Sequence, residues 1–193
     1  MNKKVIDSDK IRELTREFLI AIGDDPDREG LVKTPDRVSK MCQEIFEGMI
    51  HTNDEIAEMF NTCFEDVETG DLVVESNIPI HSFCEHHIMM IYDATVAIGY
   101  IPNGKVIGLS KLARIADMVA KRLQLQERIG TDIADVLQKI LDTNDIIVVI
   151  EGKHGCMTAR GIKAREAVTR TATLRGKFWN DSDLRSEFYN LIK

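Results

Sequence analysis

The chain lacks any apolar run that approaches the length of a membrane span. Its start, Met1-Asn2-Lys3-Lys4-Val5-Ile6-Asp7, turns polar at once and has no signal-peptide core, so a cytoplasmic protein is expected. Cysteine is scarce: four residues at irregular positions make no disulfide framework and fit a reducing compartment. There a Cys84–Cys156 disulfide, the simplest alternative for that pair, is not the resting state. Also missing is a spread of uncompensated Lys and Arg. A net charge of −7 argues against a general nucleic-acid binder or a membrane-surface binder. No repeat, linker or low-complexity segment interrupts the 193 residues, and 44% hydrophobic composition supports one domain with a substantial core plus an N-terminal appendage.

What is present is concentrated. Ser82-Phe83-Cys84-Glu85-His86-His87 packs a thiol, a carboxylate and two imidazoles into four consecutive positions, a cluster costly to bury unless something satisfies it. Zn²⁺ takes Cys sulfur and His nitrogen, and the two residues between Cys84 and His87 let a tight turn aim both at one ion. The chain offers a thiol beside an imidazole once more, at His154-Gly155-Cys156, where residues two apart share a face of an extended segment. Cys84, His87 and Cys156 together would supply three ligands, the count of a catalytic zinc with one position open. Cys42 and Cys63, with nothing metal-like around them, read as small buried hydrophobes. His51 and His81 read as surface or structural histidines.

Apolar spacing predicts a helix from Ser8 to Ile22 stopped by Gly23, a second opened by Thr34-Pro35 and running to about Gly48 or Met49, and a short third capped by Asn53. Residues 1–70 form a helical region in this reading, and 71–193 form the catalytic domain. After Gly70 the texture becomes β-branched, with strands on either side of the Cys84–His87 turn. Helices follow over Ser110–Leu123 and Gln126–Leu141, then strands over Asp145–Glu151 and Val168–Leu174. That gives an α+β fold in the order ββααββ, whose open sheet edges invite pairing with another copy. Acidic residues crowd the first part, among them Asp54, Glu55, Asp66 and Glu68, whereas Lys and Arg gather from Lys111 onward. Ser110 is placed at a helix N-cap with Lys111 and Arg114 in the first turns, where exposed N–H groups favour an anion; two surface cations on a solvated helix are the plainer alternative. Arg160 adds a charge four residues beyond Cys156. Glu127 either complements the helix dipole or receives paired N–H donors from a nucleobase.

Cys84-Glu85-His86-His87, Gly108-Leu109-Ser110-Lys111-Leu112-Ala113-Arg114-Ile115, Gln124-Leu125-Gln126-Glu127-Arg128 and His154-Gly155-Cys156-Met157 with Arg160-Gly161 resemble, in this order, GTP cyclohydrolase I. The resemblance runs from about Thr34 to the C-terminus. It implies the tunnelling fold, a four-stranded antiparallel sheet with two helices on one face, preceded by helices and assembled as a homodecamer with active sites between subunits. It further implies Zn²⁺ on Cys84, His87 and Cys156, His86 and His154 as catalytic imidazoles, and Gln126 and Glu127 on the guanine edge. Ser110, Lys111, Arg114, Arg160 and, from the helical region, Arg37 would hold the triphosphate. The implied reaction converts GTP to dihydroneopterin triphosphate and formate, the entry to folate-type pterins. Gly155 stands where a bulkier residue is usual in that family, and Leu123 where many members have Pro. Two other readings stand beside this one: another tunnelling-fold pterin or deazaguanine enzyme, or an inactive scaffold whose zinc gains a fourth ligand from Glu85 or His154.

Overall fold

The computed structural model describes residues 4–65 and 70–193; residues 1–3 of the polar start, and Asp66 and Glu68 of the acidic run, lie outside that description. Helix α1 (Ser8–Ala21) is capped by the Asp7 carboxylate, which accepts from the Lys10 N–H, and gives way to Gly23 at a φ of +89°. Helix α2 (Thr34–Ile45) has Lys33 rather than Thr34 at its cap, with Pro35 in the first turn where its missing N–H costs nothing. It stops earlier than the apolar stripe predicts, because the chain tightens into a 3-10 turn, Glu47–Ile50. Helix α3 (Asn53–Met59) opens on a capping box between Thr52 and Glu55, so Thr52, not Asn53, is the cap. That frees the Asn53 side chain to bond Arg122 and Asp132.

The chain then runs β1 (Cys63–Glu65), β2 (Val73–Cys84), β3 (Met90–Tyr100), β4 (Lys105–Ile107), α4 (Leu109–Ala120), β5 (Leu123–Gln124), α5 (Gln126–Leu141), β6 (Ile146–His154), α6 (Gly155–Thr158), β7 (Thr169–Leu174), α7 (Lys177–Asn180) and α8 (Ser182–Leu191). The ββααββ order holds, and β2, β3, β6 and β7 pair antiparallel in that sequence. Two features exceed the expectation. β5 adds a short parallel fifth strand outside β2, and β1 pairs with β4 in a separate ribbon. The strands expected on either side of the Cys84–His87 turn are two long ones bent by bulges, with Asn77 and Asp93 at φ of +57° and +48°. Asn and Asp tolerate that left-handed region better than other side chains.

β6 shows why its apolar run does not alternate. Ile146, Val148 and Ile150 join the main core beneath α4 and α5, while Ile147 and Val149 face a second cluster built on Phe178 and Phe188 of α7 and α8. Burial on both faces removes the polar alternation of a half-exposed strand. The sheet is therefore covered on its second face too, by C-terminal helices that the sequence reading did not anticipate.

The central sheet has two ends that carry different residues. Tyr100 lies opposite Val73 and Ile146 at one; at the other, Phe83 lies opposite Met90, and Ile91 opposite His154. Helix α4 connects them. It starts after β4, whose Ile107 N–H donates to the Tyr100 hydroxyl at 3.3 Å, and it leads to Leu123, which pairs with Phe83. The N-terminal region is clamped at this second end: Arg122 donates to Gly48 O, His51 O and Asn53 Oδ1 and pairs with Asp132 at 3.0 Å. Gly48 permits the approach, since a Cβ there would stand 2.1 Å from the Met118 carbonyl oxygen.

Candidate active site

β2 delivers Cys84 to the end of the sheet, and a turn over residues 85–89 returns the chain into β3; Cys84 N–H donates to Met89 O at 2.8 Å and Ile88 N–H to Cys84 O at 2.9 Å. Because Ile91 faces His154 across the ladder, the start of α6 is brought beside this turn, and Cys156 comes with it. The donor atoms of Cys84, His87 and Cys156 all lie within 4.8 Å of one another. Two sulfurs and one imidazole nitrogen at that spacing suit a tetrahedral, borderline-soft cation. Burial and the neighbouring Cys84 push the Cys156 thiol up, against a pull from Arg160. A cation there must therefore displace protons, as thiolate sites require.

Neither proposed fourth ligand belongs to this group. Glu85 is drawn outward to Arg128 at 2.7 Å. His154 turns its Nε2 to Gln126 Oε1 at 2.8 Å. Three protein donors are what remains. Around them, His86 Nδ1 sits 3.6 Å from Cys84 Sγ, and Arg160 reaches His87 Nε2 at 3.2 Å. Burial lowers the proton affinity of His154, and the Glu127 carboxylate raises it in part. Glu127 is thus close enough to act on His154, while its own side chain is exposed and free of hydrogen bonds.

The other expected site residues are not gathered here. Ser110 is not the helix cap; Gly108 holds that position, and Ser110 is the second residue of α4. Ser110, Lys111 and Arg114 lie in the first half of α4, from about 15 Å (Ser110) to about 9 Å (Arg114) of helical rise before its last residue, Ala120, beyond which Leu123 pairs with Phe83. Arg37 is exposed on α2, which packs against α1. Among the described residues, Arg37, Lys111 and Arg114 make no ion pair within the chain. Two partners escaped the sequence reading although their residues stood in the quoted motifs or beside them: Arg128, which anchors Glu85, and the β6–β7 backbone, which holds Gln126. At the two unusual positions, a Cβ on Gly155 would lie 3.1 Å from Met90 O, and Leu123 uses the N–H a proline lacks to contact Met49 Sδ at 3.4 Å.

A sequence model of GTP cyclohydrolase I matches residues 11–193. A GTP cyclohydrolase 1 of Clostridium acetobutylicum is 54% identical over 192 residues, covering 97% of this chain and 98% of that protein. One from Clostridium botulinum is 59% identical over 181 residues, covering 91% and 92%, and one from Clostridium beijerinckii is 53% identical over 195 residues, covering 98% and 99%. With near-complete coverage on both sides and the thiol–imidazole group assembled at the sheet end, the chain belongs to the GTP cyclohydrolase I family.

Proposed function

We propose that this enzyme binds Zn²⁺ through Cys84, His87 and Cys156 and converts GTP to dihydroneopterin triphosphate and formate. The carrying observation is the three-donor group, which neither Glu85 nor His154 joins. Bound there, zinc supplies Lewis acidity that brings water within reach of ionisation near neutral pH.

The chain's own groups do the rest. Glu127 receives the paired N–H donors of the guanine edge and fixes the carbon between the two imidazole nitrogens near His154. His154 donates a proton to the adjacent ring nitrogen, which makes that carbon attackable, and Glu127 keeps its proton affinity from falling further. Two C–N bonds break as two waters are consumed and formate leaves. The ribose then opens and rearranges with proton transfers in which His86 takes part, and one water returns when the pterin ring closes.

The triphosphate needs cations. Arg160 stands at the metal group, but Ser110 and Lys111 start α4 at the far end of the same sheet, with Arg114 one turn on. That separation supports a site completed by another copy, as in a ring-shaped homodecamer with Arg37 also contributing. We read residues 1–70 as the helical region of such an assembly and 71–193 as its catalytic domain, in a cytoplasmic enzyme that opens a folate-type pterin pathway. No helix among the described residues is long and apolar enough to cross a membrane. The test is turnover of GTP with zinc quantified on the same sample. Formate and an oxidisable, fluorescent pterin in equal amounts are expected; a zinc-loaded protein that releases neither removes the proposal.

A further inference from the structure

We propose that Gln126 is a positioning residue for His154 and not a reader of the guanine base. This rests on the GTP reading above and alters one role within it. Gln126 is the first residue of α5 and only 1% exposed. Its Nε2 donates to Ile150 O at 3.2 Å and Thr169 O at 3.0 Å, with Thr171 Oγ1 at 3.4 Å. An amide nitrogen carries two hydrogens, and two backbone carbonyls on the adjacent strands β6 and β7 take both. The amide therefore has one orientation. Rotating it by half a turn would set Oε1 against two carbonyl oxygens and leave them without donors in a buried setting.

Orientation of the amide then dictates the imidazole. Oε1 can only accept, so at 2.8 Å the His154 Nε2 must be the donor. With Nε2–H held against Gln126, Nδ1 is the ring nitrogen left to exchange a proton with substrate. The β-sheet thus fixes an amide, and the amide fixes the ring and its tautomer. Glu127, one position on, is turned outward with its carboxylate unengaged, and that residue is left for the base. Neighbouring positions at one helix start divide the work: one holds the acid, the other meets the substrate.

The experiment compares wild type, Gln126→Met and Gln126→Glu as assembled, zinc-loaded enzymes, with rates expressed per bound zinc. GTP is set against inosine triphosphate, which lacks the exocyclic amine. For Gln126→Met, kcat should fall on the order of 10–100-fold while KM for GTP and the preference for GTP over inosine triphosphate stay within about threefold. Gln126→Glu, held neutral by burial, donates one proton to the strand carbonyls and still accepts from His154, so it should recover part of that kcat. A tenfold rise in KM, or a tenfold loss of base preference with kcat retained, would make Gln126 a base reader and overturn the assignment. A per-zinc rate equal to wild type in Gln126→Met would reduce it to a fold-stabilising residue. If Gln126→Met does not assemble, Gln126→Glu decides alone by the same split. Wild type that releases no formate would defeat the GTP reading itself, whereas an active wild type confines any failure to Gln126.

Discussion

The two ends of the central sheet are built on opposite principles. At the Cys84 end, charged and polar groups satisfy one another within one chain: Glu85 with Arg128, His154 with Gln126, Arg122 with Asp132. What is left over is a group of three soft donors. At the Tyr100 end, α4 begins with no acidic residue in its first turn, and among the described residues Lys111 and Arg114 have no ion-pair partner. Cations at a helix N-terminus oppose the dipole, so that end is unfavourable by itself and improves when an anion arrives. In our proposal, one end is preassembled for a metal, and the other receives phosphate.

The sharpest way to break this contrast is at the metal end. Cys156→Ser removes one of three donors, and zinc content and formate release should both vanish, with turnover down more than about a thousandfold. Metal analysis beside an activity assay checks it; full turnover would dissolve the distinction between the ends. At the phosphate end, Arg114→Ala should lower kcat/KM for GTP by about 10–100-fold while zinc stays bound. Mixing tests whether the ends cooperate between copies. Cys156→Ser and Arg114→Ala chains, each impaired alone, should regain about a quarter of wild-type activity when co-assembled in equal amounts, because that share of shared sites draws both halves from intact donors. No recovery would place both halves of a site in one chain. A third change tests the clamp. Gly48→Ala sets a methyl against the Met118 carbonyl, and a loss of about 2–4 kcal/mol is expected in denaturant unfolding.

Much of this architecture is legible in the residues alone. The Cys84–His87 turn between strands, the helix over Gln126–Leu141 and the pairing of the Cys84 and Cys156 segments follow from residue chemistry and periodicity. What stayed hidden depended on contacts without a local signature. Ser110 reads as a cap by composition, yet the cap is Gly108, because the β1–β4 ribbon fixes where the backbone leaves the strand; Gly108 N–H donates to Thr62 O at 3.1 Å. Phe178 and Phe188 carry no visible pattern in their short helices, and only the second face of β6 explains them. The Gln126 amide is held by Thr169 O and Ile150 O, strand contacts that no local pattern beside Glu127 announces.

The smallest predicted effect concerns strain. At the Tyr100 end, left-handed backbone falls to Gly104 and Asp142, residues that accept it readily. In the metal turn it falls to Ile88 at a φ of +54°, a β-branched residue for which that conformation costs on the order of 1–2 kcal/mol. The side chain is 62% exposed, so burial within the chain does not offset much of the cost. The turn is held instead by the Cys84–Met89 and Ile88–Cys84 backbone bonds and, in our reading, by the ion that joins Cys84 to His87. Ile88→Asn should therefore raise the stability of the zinc-free protein by up to about 1 kcal/mol in denaturant unfolding, without loss of zinc binding. A fall in stability would mean that another copy packs on Ile88 and that the metal end, like the phosphate end, is finished by a neighbour.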